Sequence, residues 1–375
     1  MHLSAHIDFT SATLGGLLIG VSSTALLASL GKISGVSGIV GRSVIPCSQS
    51  ITPSAWLAAH STNLSYILGL LGAGYVFMAS SEGDGFAQST GHGEKATIVT
   101  VLSGLCVGFG ARLGSGCVSG HGVCGLPRLS LRSLTAVSTF MLTGAGGALI
   151  GRTLEQNRVS FPALDSLLEL MAGSGHRGHL PAAIVAMAVF SFFMAIRAKK
   201  HQDTVCNLKK TDGDKVTPAA APSIRLTDHL VHFITAFGFG WGLCMSGMTN
   251  ANKVRGFLDF SGPDGWDPSL MGVMAGAVGF NLISFRLLRQ WQVVPVCSGP
   301  SCESLDKIIK YGNDPENLKV NRRLVIGSII FGIGWGMGGL CPGPSLVQMG
   351  TSSPLAQVYI PFMFLGMAIQ ELLLN

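Results

Sequence analysis

Nine stretches of this 375-residue chain are apolar for about as long as a helix needs to cross roughly 30 Å of hydrocarbon. They run Ala12–Leu30, Leu64–Ser80, Thr97–Leu113, Ser133–Ile150, Ala182–Ile196, His229–Met245, Leu270–Leu287, Leu324–Leu340 and Leu355–Leu373. No other feature restricts the fold as strongly. In lipid every backbone N–H and C=O must be satisfied within the chain, which leaves helices or a closed barrel, and runs of this length give helices. Several runs are short, as helices that break before crossing would be. Composition agrees, with 47% apolar and only 12% charged residues and 51 glycines; soluble domains carry about 25% charge. The expected fold class is all-α: an integral membrane protein of about nine transmembrane helices plus short re-entrant helices.

The loops set the orientation. Counted in alternate loops, 18 Lys and Arg fall on one side and six on the other. The positive-inside rule makes the richer side cytoplasmic, with the N-terminus outside and the C-terminus inside a cell membrane, plasma or inner. With the charge distributed in this way, the net +6 argues for no nucleic-acid partner. No basic segment precedes the first apolar run, so no cleaved leader is expected. No Gly-x-x-x-x-Gly-Lys-Ser/Thr loop is present, so nucleotide drive within the chain is not expected either. Neither a cofactor nor a metal site is expected, and the reading is not that of an enzyme. Between the fifth and sixth runs, Lys199–Arg225 is hydrophilic and reads as a disordered cytoplasmic loop.

An internal repeat runs through the apolar segments. Phe237-Gly-Phe-Gly-Trp-Gly242 and Phe331-Gly-Ile-Gly-Trp-Gly336 share one pattern, with Val107-Gly-Phe-Gly110 a weaker copy. Nine residues separate Gly108 from Cys117, and nine separate Gly332 from Cys341. The corresponding place holds Ser246-Gly247-Met248 in a third copy and Gly35-Val-Ser37-Gly38 in the first. Four helices, one linker helix and four more invert the second half relative to the first, in an hourglass arrangement. The expected units are residues 1–152, a first half with two re-entrant segments; 153–226, linker helix and cytoplasmic loop; and 227–375, the inverted second half.

Chemistry concentrates in Gly114–Arg128, where five glycines accompany Cys117, His121 and Cys124. The run is too glycine-rich for a regular helix and reads as a re-entrant segment, tolerated at membrane depth only inside protein or along a polar cavity. Re-entrant helices aim their N-termini at the centre, where free N–H groups and the dipole favour anions. The four repeat segments hold no acidic residue, which disfavours a cation path. Thiols at Cys117 and Cys341 offer weak donors to a soft anion, and Met245 and Met248 add polarizable surface. His121 either tethers backbone or meets the ligand. Arg112, a charge on an apolar helix, is functional or snorkels to the cytoplasmic face. Arg128 is placed at the mouth.

Together these residues resemble the YeeE/YedE family of sulfur-compound transporters. The likeness lies in Gly116-Cys117-Val-Ser-Gly-His121-Gly with Cys124-Gly-Leu-Pro-Arg-Leu-Ser, in Ser246-Gly-Met248 with Lys253-Val and Trp266-Asp-Pro-Ser, and in Gly334-Trp-Gly with Leu340-Cys341-Pro-Gly-Pro. The resemblance implies a permease that passes thiosulfate or a related sulfur anion along a cysteine-lined path to the cytoplasm. A sulfurtransferase-like protein is then the implied cytoplasmic partner, with the Arg128 face as its docking site. Cys117 and Cys341 match family path cysteines. A third is replaced by Ser246 and Met248, with Cys244 and Cys124 as substitutes and Ser37 at the first-copy position. Two other readings stay open from the residues: a thiol–disulfide oxidoreductase using Cys117 and Cys124, whose six-residue gap is unlike Cys-x-x-Cys, and a broken-helix channel for water or small neutral solutes.

Overall fold

The computed structural model describes residues 2–44, 53–80, 98–156, 226–261, 266–291, 293, 318–351 and 353–374. All the regular structure among them is helical, as expected. In the first half, α1 spans His2–Leu30, α2 Val36–Val44, α3 Pro53–Ala79, α4 Ile98–Leu113, α5 Val118–Gly125 and α6 Leu131–Gln156. In the second, α7 is Leu226–Met245, α8 Ala251–Leu258, α9 Leu270–Gln290, α10 Arg322–Gly338, α11 Pro342–Gly350 and α12 Pro354–Leu374. The expected linker helix Ala182–Ile196 lies outside the described residues, as does the loop Lys199–Arg225.

The order long–short–long recurs four times, and each first long helix ends the same way. A residue with positive φ follows α1, α4, α7 and α10: Gly31 at 64°, Ser115 at 59°, Gly247 at 71° and Gly339 at 67°. A left-handed residue halts a helix and turns the chain. Three of the four are glycine, which enters this region without a Cβ clash.

Six segments are long and apolar enough to cross a membrane: α1 from Phe9, α3 from His60, α6, α9, α10 together with α11, and α12. The pair of α4 and the α5 segment, bent by 49°, makes a seventh as a broken span. Large apolar side chains such as Leu68, Leu142, Ile234 and Ile283 stand exposed on outward helix faces, where lipid would cover them.

Packing is reciprocal between the halves. α1 lies on α9 as α7 lies on α3, and α4 lies on α12 as α10 lies on α6. The first helices pair with each other, α1 with α7 and α4 with α10. Exchanging the halves reproduces this list of partners. At the α1–α7 crossing the backbones touch: a Cβ on Gly15 would sit 2.6 Å from the Gly242 carbonyl oxygen, and one on Gly242 would sit 2.7 Å from that of Gly15. Small residues permit such an approach, which drives helix association where lipid offers no hydrophobic gain.

Candidate functional site

Three of the four short helices begin at one place. α2 packs against both α5 and α11. An added Cβ on Gly343, at the start of α11, would lie 3.7 Å from Val36, the first residue of α2. A Cβ added on Gly120, in the first turn of α5, would lie 4.0 Å from the Gly35 Cα. Their N-cap positions are taken by Gly35, Cys117 and Cys341. The Gly35 carbonyl accepts the first helical hydrogen bond of α2 from Ile39 N. Cys117 and Cys341 share nearly the same extended backbone, φ −128° and −123°, and neither thiol makes a capping hydrogen bond. Serine, threonine, asparagine or aspartate would normally satisfy an N–H here. These caps leave first-turn donors, and the positive ends of three helix dipoles, turned toward a common point.

α11 restricts its donors further. Cys341 is followed by Pro342, Gly343 and Pro344, so among the first three helical positions only Gly343 carries an N–H.

Around this point Cys117, Cys124 and Cys341 are buried, and each of the other two is an electrostatic neighbour of Cys117. Cys117 Sγ lies 3.2 Å from Ser119 Oγ, which also accepts from Val36 N at 3.1 Å. One hydroxyl therefore joins the thiol of α5 to the first N–H of α2. Tyr66 on α3 neighbours both Cys117 and Cys124, and the backbone of Ser34, just before α2, faces the Cys124 sulfur. Tyr359 on α12 donates to the Leu340 carbonyl at 2.8 Å and steadies the turn into Cys341.

Polar anchors hold α5 in position. His121 Nε2 lies 3.2 Å from the Gly114 carbonyl and Nδ1 lies 3.3 Å from Ser133 Oγ, so both ring nitrogens engage the protein. The imidazole fills the space beside Gly116, where a Cβ would come within 2.6 Å of the ring. Asn281 on α9 donates to the Val123 carbonyl at 2.8 Å, and Arg128 Nε donates to the Cys124 carbonyl at 2.9 Å. The glycine-rich run is not a regular α-helix, as expected. It is wound as a π-helix from Val118 to Gly125 and closed by a 3-10 turn, Leu126–Arg128; π turns are frequent at functional sites.

A cavity of about 380 Å³ opens beside this cluster. Its wall includes Ser37 and Gly38 from the first turn of α2 and Gly116 next to Cys117. Three guanidinium groups line it, from Arg42, Arg112 and Arg323. Glu371 pairs with Arg112 at 2.8 Å.

The structure thus gathers Cys117, Cys124 and Cys341, holds His121 beneath them, and sets Ser37 and Arg112 on the adjoining cavity. Cys244 is buried within α7. Ser246 Oγ bonds back to the Leu243 carbonyl at 3.0 Å, and Met248 is partly buried in the turn before α8. By helix start, the residue of the third copy that corresponds to Cys117 and Cys341 is Asn250, because four residues separate α7 from the cap. Sequence reasoning did not single out Ser34, Tyr66, Ser119, Arg42 or Arg323. Ser119 was within reach, lying two residues after Cys117 inside the motif.

Residues 228–375 match the model of a family of unknown function (DUF6691). No solved structure matches the chain. Two proteins of Xylella fastidiosa, from strains Temecula1 and 9a5c, each called a probable transporter, are 37% identical to it over 135 residues, which is 36% of this chain and 89% of the relative. Another probable transporter of strain Temecula1 is 33% identical over 133 residues, 36% of this chain and 81% of the relative. Since 36% of one chain equals 89% of the other, the first relatives are about 0.4 times as long as this chain. Helices fit to span a membrane and relatives of this kind agree with a role in membrane transport, and the chain belongs to the family of these probable transporters.

Proposed function

We propose that the chain is a permease of the YeeE/YedE type that imports a small sulfur-containing anion, thiosulfate first among candidates. The observation that carries this reading is the meeting of three N-termini without side-chain caps of their own at the thiols of Cys117 and Cys341, beside a cavity lined by three arginines. Helix N-termini and guanidinium groups select for negative charge. Thiols add donors weak enough to release the ion again, which conduction requires. The anion enters past Cys341 and Met248, passes Cys117 and His121, and leaves through the arginine cavity into the cytoplasm. There the Arg128 face meets a sulfurtransferase-like acceptor protein.

Uptake of radiolabelled thiosulfate by cells lacking their own import route tests the reading. Wild type should take it up, and Cys117→Ala and Cys341→Ala should each reduce uptake about tenfold or more, the scale of one hydrogen bond to a charged group. Uptake retained in both variants would make these cysteines packing residues and sink the thiol-lined path.

A further inference from the structure

The thiol cluster contains two hydroxyls that the chain leaves unsatisfied. Tyr66 and Ser34 are 0% and 1% exposed, and neither Tyr66 OH nor Ser34 Oγ has a hydrogen-bond partner. The two groups neighbour one another without meeting the geometry of a hydrogen bond, and Cys117 and Cys124 are electrostatic neighbours of Tyr66. Two comparably buried polar side chains of this core are satisfied. Asn281, equally buried, accepts from Ser23 and Thr24 and donates to Ser23 and to the Val123 carbonyl. The fully buried Tyr359 donates to the Leu340 carbonyl. A buried hydroxyl without an acceptor is costly, and such groups are rare enough in native proteins to call for a reason.

We propose that the Tyr66 and Ser34 hydroxyls bind the oxygen end of the transported anion while the Cys117 thiol meets its sulfur end. The inference rests on the permease reading and adds the basis of selectivity. Both hydroxyls are donors held beside a thiol, at the point where three helix N-termini already favour negative charge. An ion bearing a sulfur terminus and acceptor oxygens on one small frame, as thiosulfate does, satisfies both kinds of group at once. A sulfur anion without oxygens, such as thiocyanate, engages the thiol alone. Because a site built to hydrogen-bond an oxygen rejects ligands that lack one, the pair of hydroxyls makes the path selective for sulfur oxyanions.

The test compares wild type with Tyr66→Phe and Ser34→Ala, using thiosulfate uptake in cells and thermal unfolding of the purified full chain. The KM for thiosulfate should rise roughly tenfold in each variant, while thiocyanate inhibits the remaining uptake at unchanged concentration. Without ligand, both variants should unfold at or above the wild-type temperature, since each loses an unsatisfied group. An unchanged KM in both variants overturns the proposal. So does a matching loss of thiocyanate inhibition, or a lowered unfolding temperature in both, either of which would make the hydroxyls structural. Wild type that neither takes up thiosulfate nor is stabilised by it overturns the permease reading, and the proposal with it.

Discussion

α8 and α11 hold corresponding places in the second half, yet their N-termini are finished in opposite ways. The Asn250 side chain caps α8, accepting from Asn252 N at 2.9 Å and Lys253 N at 3.3 Å. Cys341 leaves α11 without a side-chain cap, and the flanking prolines reduce its early donors to one. The ends of the molecule differ in the same sense. Beside α8, Arg152 pairs with Asp259 at 2.9 Å and Arg255 with Glu155 at 2.6 Å. At the other end Arg42, Arg112 and Arg323 gather around one cavity, with Glu371 on Arg112. Around α8 a side-chain cap and two ion pairs finish the helix end; around α11 the helix end carries no side-chain cap and three arginines converge on a cavity.

The sharpest way to break this contrast is to cap α11. Cys341→Asn should close the Gly343 N–H onto the new side chain, lowering thiosulfate uptake more than tenfold. The same change should leave the folded protein as stable or up to about 1 kcal/mol more so. Retained uptake would show that the uncapped end is not used. A smaller effect is expected at the cavity. Arg323→Gln should raise the KM several-fold at low salt and less at high salt, because screening already weakens an exposed charge. Glu371→Gln, which frees Arg112, should move the KM the other way, and matching shifts in the two variants would refute the electrostatic account. The smallest effect belongs to α8. Asn250→Ala should cost about 1 kcal/mol of stability and lower the unfolding temperature by about 2–4 °C. Its KM should stay at the wild-type value, and a shifted KM would place α8 on the path as well.

Much of the scaffold was legible because lipid removes alternatives: an apolar run of spanning length has to become a helix. The equal spacing from Gly108 to Cys117 and from Gly332 to Cys341 located two N-caps of identical geometry. The third copy was misplaced because spacing cannot reveal how many residues a turn consumes. Ser246 and Met248 lie in the turn, and the cap is Asn250. Glycine content argued against a regular helix in Val118–Gly125, and burial with anchors from Gly114, α6 and α9 holds the run in a wider winding. Tyr66 and Ser34 were invisible for a different reason. An aromatic residue in an apolar helix and a serine in a short loop carry no local sign that folding will bring them together. Arg42 and Arg323 read as loop charges until α2, α4 and α10 converge.

The reciprocal packing also bears on how the protein is made. Among the described residues, every extensive pairing of long helices joins one half to the other: α1 to α9 and α7, α3 to α7, α4 to α10 and α12, α6 to α10. When α6 leaves the ribosome, the first half has no final surface to rest on, and glycine faces built for contact, such as that at Gly15, meet lipid instead. At a translation rate of about 5–20 residues per second, the chain from residue 157 to Leu374 takes roughly 11–44 s more to appear. During that interval the nascent chain is an unfinished guest of the insertion machinery, exposed to membrane proteases and chaperones. Joining both halves in one polypeptide ensures that the missing partner arrives at the same place, one copy for each copy.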